Sequence, residues 1–228
     1  MMAKKKNKPA YECIVFIVEG DADELIIRKL IAYYRQQGWQ PTQSIEIKNV
    51  QGFPTEKKIK QKLTGITHIN SDKDVKFTTV CCEFDTDVLT VNRQFNEPNW
   101  NDIEKTISSQ YSVDKFCIVR ANTSIEDWML DDQEGLLKAL RLPAKTKPIG
   151  STGQERVSNL FKKKNIKYDR TKGKVNIGKY IEALDIEKIR NSREKELTPL
   201  ENALGVSAIL KNKDNIHHPT VVIAATEK

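Results

Sequence analysis

The chain has 228 residues, 38% of them apolar and 30% charged, enough to bury a sizeable core in one domain, with room for an appended subdomain. Its 38 Lys and Arg outnumber its 31 Asp and Glu, which sets aside the strongly acidic, solvating class of chain. The longest apolar stretch, residues 14–18, is too short to cross a bilayer, and no signal-peptide core follows the basic Met1-Met2-Ala3-Lys4-Lys5-Lys6 start, so a cytoplasmic protein with no membrane partner is expected.

The remaining composition narrows the chemistry. Cys13, Cys81, Cys82 and Cys117 show no CxxC spacing and lie in strand-like segments, the pattern of buried free thiols in a reducing compartment. Only His68, His217 and His218 are present, with neither a Gly-x-Ser-x-Gly elbow nor a His-Glu-x-x-His helix. Histidine-assisted hydrolysis and zinc-protease chemistry are thereby disfavoured, and carboxylates become the expected catalytic groups.

In chain order, residues 1–10 form a lysine-rich tail, expected to be disordered. Residues 13–18 (CIVFIV) read as a buried strand ending in Glu19-Gly20. Residues 21–37 read as a helix: Ile26, Leu30, Tyr33 and Tyr34 recur at helical spacing, Asp21 and Asp23 suit its positive end, and Gly38 stops it. A second strand is expected at 44–50, a short helix at 56–63, a third strand at 76–83 and a helix at 101–110. A fourth strand follows at 116–119, and a single long helix at 124–140. Strands alternating with helices predict an α/β fold with a mainly parallel sheet over residues 11–141. Pro143, Pro148 and Gly150-Ser151-Thr152-Gly153 then mark a hinge into a basic, mostly helical region, 142–228, with helices at 154–164, 176–184 and 199–204 and a late apolar run at 221–225.

Charge is unevenly distributed along this pattern. Residues 81–135 hold 12 acidic against 4 basic side chains, whereas residues 138–179 hold 13 basic against 2 acidic. Carboxylates that bind cations beside lysines that neutralise phosphates would use such an asymmetry; a solvated helical surface would show it too. In open α/β sheets ligands gather at the carboxyl ends of the strands. Two strands here end in acids: the first in Glu19, with Asp23 one turn onward, and the third in Asp85-Thr86-Asp87. Residues two apart in extended chain share a side, so Asp85 and Asp87 are expected to converge on one cation; Glu83 has the same parity but lies deeper in the strand. A hard divalent ion, Mg²⁺ or Mn²⁺, relieves such crowding of like charge. A turn-capping role for the same aspartates is the alternative.

The stretch from Ile14 to Asp23, an apolar strand followed by Glu-Gly and an acid four residues beyond the Glu, resembles the first motif of the TOPRIM domain. Phe84-Asp85-Thr86-Asp87 resembles its second motif. The segment Ala121-Asn122-Thr123-Ser124-Ile125-Glu126-Asp127-Trp128 is similar to one in stand-alone TOPRIM proteins of bacterial phage defence, related to OLD-type nucleases. The resemblance implies that the Glu19 and Asp85 strands are neighbours. It further implies that Asp85 and Asp87 hold Mg²⁺, that Glu19 is a ligand or general acid/base, and that a second ion is completed by Asp23 and Glu126. Two cations roughly 3.5–4 Å apart suit phosphodiester cleavage. Trp128, between Ile125 and Met129, reads as core, and Asp131 as a weaker acidic candidate. OLD-type proteins often carry an ATPase in the same chain; here no Gly-x-x-x-x-Gly-Lys-[Ser/Thr] loop occurs, so the resemblance implies a separate ATPase sensor subunit.

The segment 161–174 interleaves Phe161 and Tyr168 with cations. Lys162, Lys163, Lys164, Lys167, Arg170, Lys172, Lys174 and Lys179 are the expected nucleic-acid contacts, and Lys174 a further catalytic candidate beside Glu19, Asp85 and Asp87. A solvated loop with two packing aromatics fits the same residues. Three functions are compatible with this reading: a Mg²⁺-dependent nuclease acting on RNA or DNA as a defence or toxin effector, a primase-like nucleotidyl transferase, and a non-catalytic nucleic-acid-binding adaptor.

Overall fold

A computed structural model describes residues 9–91, 96–168 and 177–217. It is an α/β protein with four strands, β1 (Ala10–Val18), β2 (Ser44–Asn49), β3 (Asp74–Asp85) and β4 (Lys115–Ala121). They form one all-parallel sheet in the order β2-β1-β3-β4. Helix α1 (Asp21–Gln36) returns the chain from β1 to β2. Helix α2 (Glu56–Ile69) carries it back across β1 to β3, and α4 (Trp100–Tyr111), after the short α3 (Asp87–Val91), leads to β4. Crossovers between parallel strands are right-handed, so reversing direction after β2 puts α1 on one face and α2 and α4 on the other. The two cores follow this division. Ile14, Phe16 and Val18 pack with Ile26, Leu30 and Tyr34 of α1, whereas Val15, Ile17 and Phe84 pack with Ile59 and Leu63 of α2 and Ile103 and Ile107 of α4.

The remaining helices are α5 (Ile125–Asp131), α6 (Gln133–Ala139), α7 (Gly153–Lys162), α8 (Gly178–Glu182), α9 (Ile186–Ser192), α10 (Glu194–Leu204) and α11 (Val206–His217). Their apolar residues join the α1 face: Leu160, Phe161, Ile181, Leu197 and Leu200 share a cluster with Phe16 and Leu30. A buried ion pair ties this layer down. Arg190 Nε and Nη2 donate to the two oxygens of Glu201, which also accepts from Tyr34 Oη.

Several elements differ from expectation. The long helix expected at 124–140 breaks at Asp132, whose carboxylate accepts from Gly135 N at the start of α6, from Asp185 N and from Lys188 Nζ. A side chain recruited to cap one helix and anchor a distant loop ends the helix before it. The helix expected at 56–63 runs on to Ile69, and α3, α9 and α11 were not anticipated. Strand β1 begins at Ala10, inside the expected tail, whose residues 1–8 lie outside the described residues. The apolar run 221–225 and His218 also lie outside them. The Gly150–Gly153 segment is a helix start: Thr152 Oγ1 accepts from Glu155 N, and the Glu155 carboxylate accepts from Ser151 N and Oγ. All four cysteines are buried and free. No described helix is long and apolar enough to cross a membrane.

Candidate metal centre

Strands β1 and β3 are adjacent, and the chain leaves them in opposite directions. This is the switch point at which an open parallel sheet leaves a crevice. Which acids face that crevice is decided within β3. Cys13 pairs with Phe77 but Ile14 pairs with Thr79, so Thr78 is an extra residue, a β-bulge, and its Oγ1 donates to Cys13 O. The bulge reverses side-chain alternation along β3. Phe77 lies on the α2 face, yet beyond the bulge it is Val80, Cys82 and Phe84 that do so. Cys81, Glu83 and Asp85 therefore turn to the α1 face, where Asp23 waits in the first turn of α1.

Asp23, Glu83 and Asp85 each place a carboxylate oxygen within 4.8 Å of the other two, and all three are at most 2% exposed. Asp85 Oδ1 accepts from Ile125 N at 2.8 Å. Both oxygens of Glu83 are buried and have no hydrogen-bond partner among the described residues. Burial first, then the negative charges of Asp23, Asp85 and Glu19, holds the Glu83 carboxyl protonated well above the ordinary carboxylate range. Three carboxyl groups crowded together out of solvent suit a hard cation, which would displace the Glu83 proton. Oxygens bound to one Mg²⁺ at about 2.0–2.1 Å lie at most about 4.2 Å apart, and around Ca²⁺ about 5 Å. Oxygens as far apart as 4.8 Å fit around one ion of Ca²⁺ size as they stand, and around Mg²⁺ or Mn²⁺ once the side chains draw closer.

The surrounding chain fits this cluster. Of the acids opening α1, Asp21 accepts from Asn49 Nδ2 and Glu24 pairs with Arg28, leaving Asp23 as the one directed at Glu83. Gly20 is needed for space: a Cβ there would lie 2.9 Å from Asp23 Oδ2. Beyond β3, Thr86 rivets the next turn. Its N–H and Oγ1 both donate to Ala121 O, its Oγ1 accepts from Thr123 N, and Asp87 N donates to Thr123 O. Thr123 is held at φ 71° by this clamp. Thr86→Val, which keeps the shape but removes the hydroxyl, is expected to cost about 1–3 kcal/mol of stability in urea unfolding. An unchanged midpoint would mean that the clamp contributes nothing net.

The sequence-derived candidates are thus partly gathered. Asp23 and Asp85 lie in the cluster. Glu19 is half-buried at the end of β1, and its Oε2 accepts from Asp85 N at 3.2 Å. Its backbone O is held by Gly52 N of the loop after β2. Asp87 does not share the side of Asp85 by strand parity, because extended chain stops at Asp85 and Asp87 opens α3, half-buried. Glu126 is fully buried in α5, one residue from the Ile125 N–H that holds Asp85, and its Oε1 accepts from Tyr168 Oη. Neither Asp87 nor Glu126 belongs to the close group of three. Asp131 is committed to Arg193, and Trp128 is core, its Nε1 donating to Glu196.

Glu83 is the member that sequence reasoning passed over. Its parity with Asp85 was the available signal, discounted because a deep strand position normally excludes a charge. Lys162, Lys163, Lys164, Lys167 and Lys179 are exposed at the end of α7, just beyond it and on α8. Arg170, Lys172 and Lys174 lie outside the described residues. Phe161 is not available to stack on a base, since it is fully buried against Tyr168 and Tyr180. Comparison of the chain with protein-family models, with curated proteins and with solved structures finds no match.

Proposed function

We propose that this chain is a divalent-cation-dependent nuclease, hydrolysing phosphodiester bonds of RNA or DNA in the manner of the TOPRIM proteins its two acidic motifs resemble. The observation that carries the reading is the convergence of Asp23, Glu83 and Asp85 at the switch point between β1 and β3, with Glu83 buried among acids. Such a residue is costly in a protein that never binds a cation there. These three side chains would hold the ion, Mg²⁺ or Mn²⁺. When bound, it would supply Lewis-acid polarisation of the phosphate and a nucleophile at neutral pH. Glu19, half-buried beside Asp85, takes the role of further ligand or general base, and Asp87, two residues beyond Asp85, lies on the clamped turn.

The test is incubation of the purified chain with tRNA, single-stranded DNA and plasmid, each with Mg²⁺, Mn²⁺ or EDTA, alongside Glu19→Gln. Cleavage with metal, absent in EDTA and reduced about 10²-fold or more in the variant, is the expected result. Incorporation of labelled nucleotides in place of cleavage would favour nucleotidyl transfer. Metal-independent nucleic-acid binding with no turnover in any condition would favour an adaptor.

A further inference from the structure

The cations of the C-terminal layer divide into two kinds. Arg156, Lys188, Arg190 and Arg193 are each ion-paired, with Asp127, Asp132, Glu201 and Asp131. Arg141, Lys164 and Lys179 are not: none forms an ion pair with a described carboxylate. All three are exposed, and all three line one cleft of about 510 Å³, together with Leu140, Ile166 and Tyr180.

The cleft is built by two matching helix ends. At the end of α6, Arg141 N donates to Lys138 O and Leu142 N to Leu137 O. At the end of α7, Asn165 N donates to Lys162 O and Ile166 N to Phe161 O. These are Schellman turns, and their left-handed residues are Arg141 (φ 53°) and Asn165 (φ 55°). Glycine would adopt that conformation more cheaply than arginine, so the arginine at 141 carries a conformational cost. Repulsion among three cations around one concavity adds to it.

The cleft also leads toward the acid cluster. Ile166 is shared with a neighbouring hollow of about 370 Å³, lined by Lys162, Asn165, Lys167 and Tyr168. Tyr168 Oη donates to Glu126, whose neighbour Ile125 holds Asp85 through its N–H. The two hollows therefore carry cations on either side of Ile166, and the second one reaches Tyr168, which is hydrogen-bonded to Glu126 of α5.

We propose that the Arg141–Lys164–Lys179 cleft binds backbone phosphates of a nucleic acid outside the acid cluster, with Lys162 and Lys167 of the adjoining hollow as further phosphate contacts. The proposal rests on the nuclease reading for its choice of polyanion; the binding itself does not require catalysis. Planar guanidinium and point-charge ammonium groups are the pair of donors a phosphate backbone takes.

The experiment measures binding of fluorescein-labelled 20-nucleotide single-stranded RNA and DNA by anisotropy in EDTA over a salt series. Wild type is compared with Arg141→Gln/Lys164→Gln/Lys179→Gln, and with a control, Lys57→Gln/Lys62→Gln/Lys105→Gln, that removes the same charge from α2 and α4 on the opposite face. The cleft variant is expected to bind at least about 10-fold more weakly at low salt, with a log K against log salt slope shallower by about 2, from roughly 0.7 per lost contact on a single strand. The control should retain most of the wild-type slope.

Equal losses in the two variants would overturn the proposal, as would no binding by wild type. Tighter, cleft-dependent binding of a poly-glutamate peptide than of either oligonucleotide would also overturn it, in favour of an acidic protein partner. Because EDTA silences metal chemistry, cleft-dependent binding by a protein that never cleaves would support the cleft while sinking the nuclease reading. Cleavage that ignores the cleft variant's charges would do the reverse.

Discussion

Asp85→Asn is expected to lower metal-dependent cleavage by about 10³-fold, a loss of roughly 4 kcal/mol of transition-state stabilisation, and to remove Mn²⁺ binding in calorimetry. The substitution isolates charge from structure. Asp85 is fully buried at the last position of β3, and its Oδ1 accepts from Ile125 N at 2.8 Å. An asparagine oxygen can accept the same bond, so β3, α5 and the clamp around Thr86 should persist. The negative charge alone is lost, and with it one of three ligands. Circular dichroism and melting close to wild type, together with lost activity, are therefore anticipated. Full activity in a folded Asp85→Asn protein would show that the cluster takes no part in the chemistry.

Glu83→Gln should act in opposite directions on metal-free and metal-bound protein. In EDTA the wild-type Glu83 carboxyl titrates higher in the folded state than in the unfolded chain. Between those two pKa values the folded state holds the additional proton, so stability is greatest below the ordinary carboxylate range and declines as pH rises toward the folded-state value. Glutamine removes that decline. The variant is expected to be more stable than wild type by about 1–3 kcal/mol at the alkaline end of a pH 5–8 urea series in EDTA, and to converge with it toward pH 5. Saturating Mn²⁺ should stabilise wild type increasingly as pH rises, since the ion displaces the proton, and should do much less for the variant. A Glu83→Gln protein less stable than wild type throughout, or one that binds Mn²⁺ undiminished, would remove Glu83 from the candidate site.

Much of this arrangement is legible in the sequence. The apolar run at 13–18, the helical spacing of Ile26, Leu30 and Tyr34, and the run at 76–83 predicted the β1-α1 unit and β3 nearly to their ends, because burial on both sheet faces demands continuous apolar strands. Glu19, Asp23 and Asp85 could be named because the carboxyl ends of parallel strands are where such a fold exposes a crevice. Elements without a strong period were missed. Helix α9 carries only Ile186 and Ile189 as apolar residues, α11 crowds most of its own into 206–210, and the break at Asp132 depends on Asp185 and Lys188, more than fifty residues away.

The sequence by itself thus determined the βα alternation, the α/β class and the acidic strand ends, all of which follow from local periodicity and residue type. The membership of the candidate site was decided only in three dimensions. One extra residue at Thr78 reverses the alternation of β3, and that reversal is what turns Glu83 and Asp85 toward Asp23. A bulge is a mismatch between two paired strands, so it has no expression in either strand alone. The cleft of Arg141, Lys164 and Lys179 is likewise a product of packing. Three cations separated by up to 38 positions in the sequence share one concavity because α6, α7 and α8 bury their apolar sides in a common core.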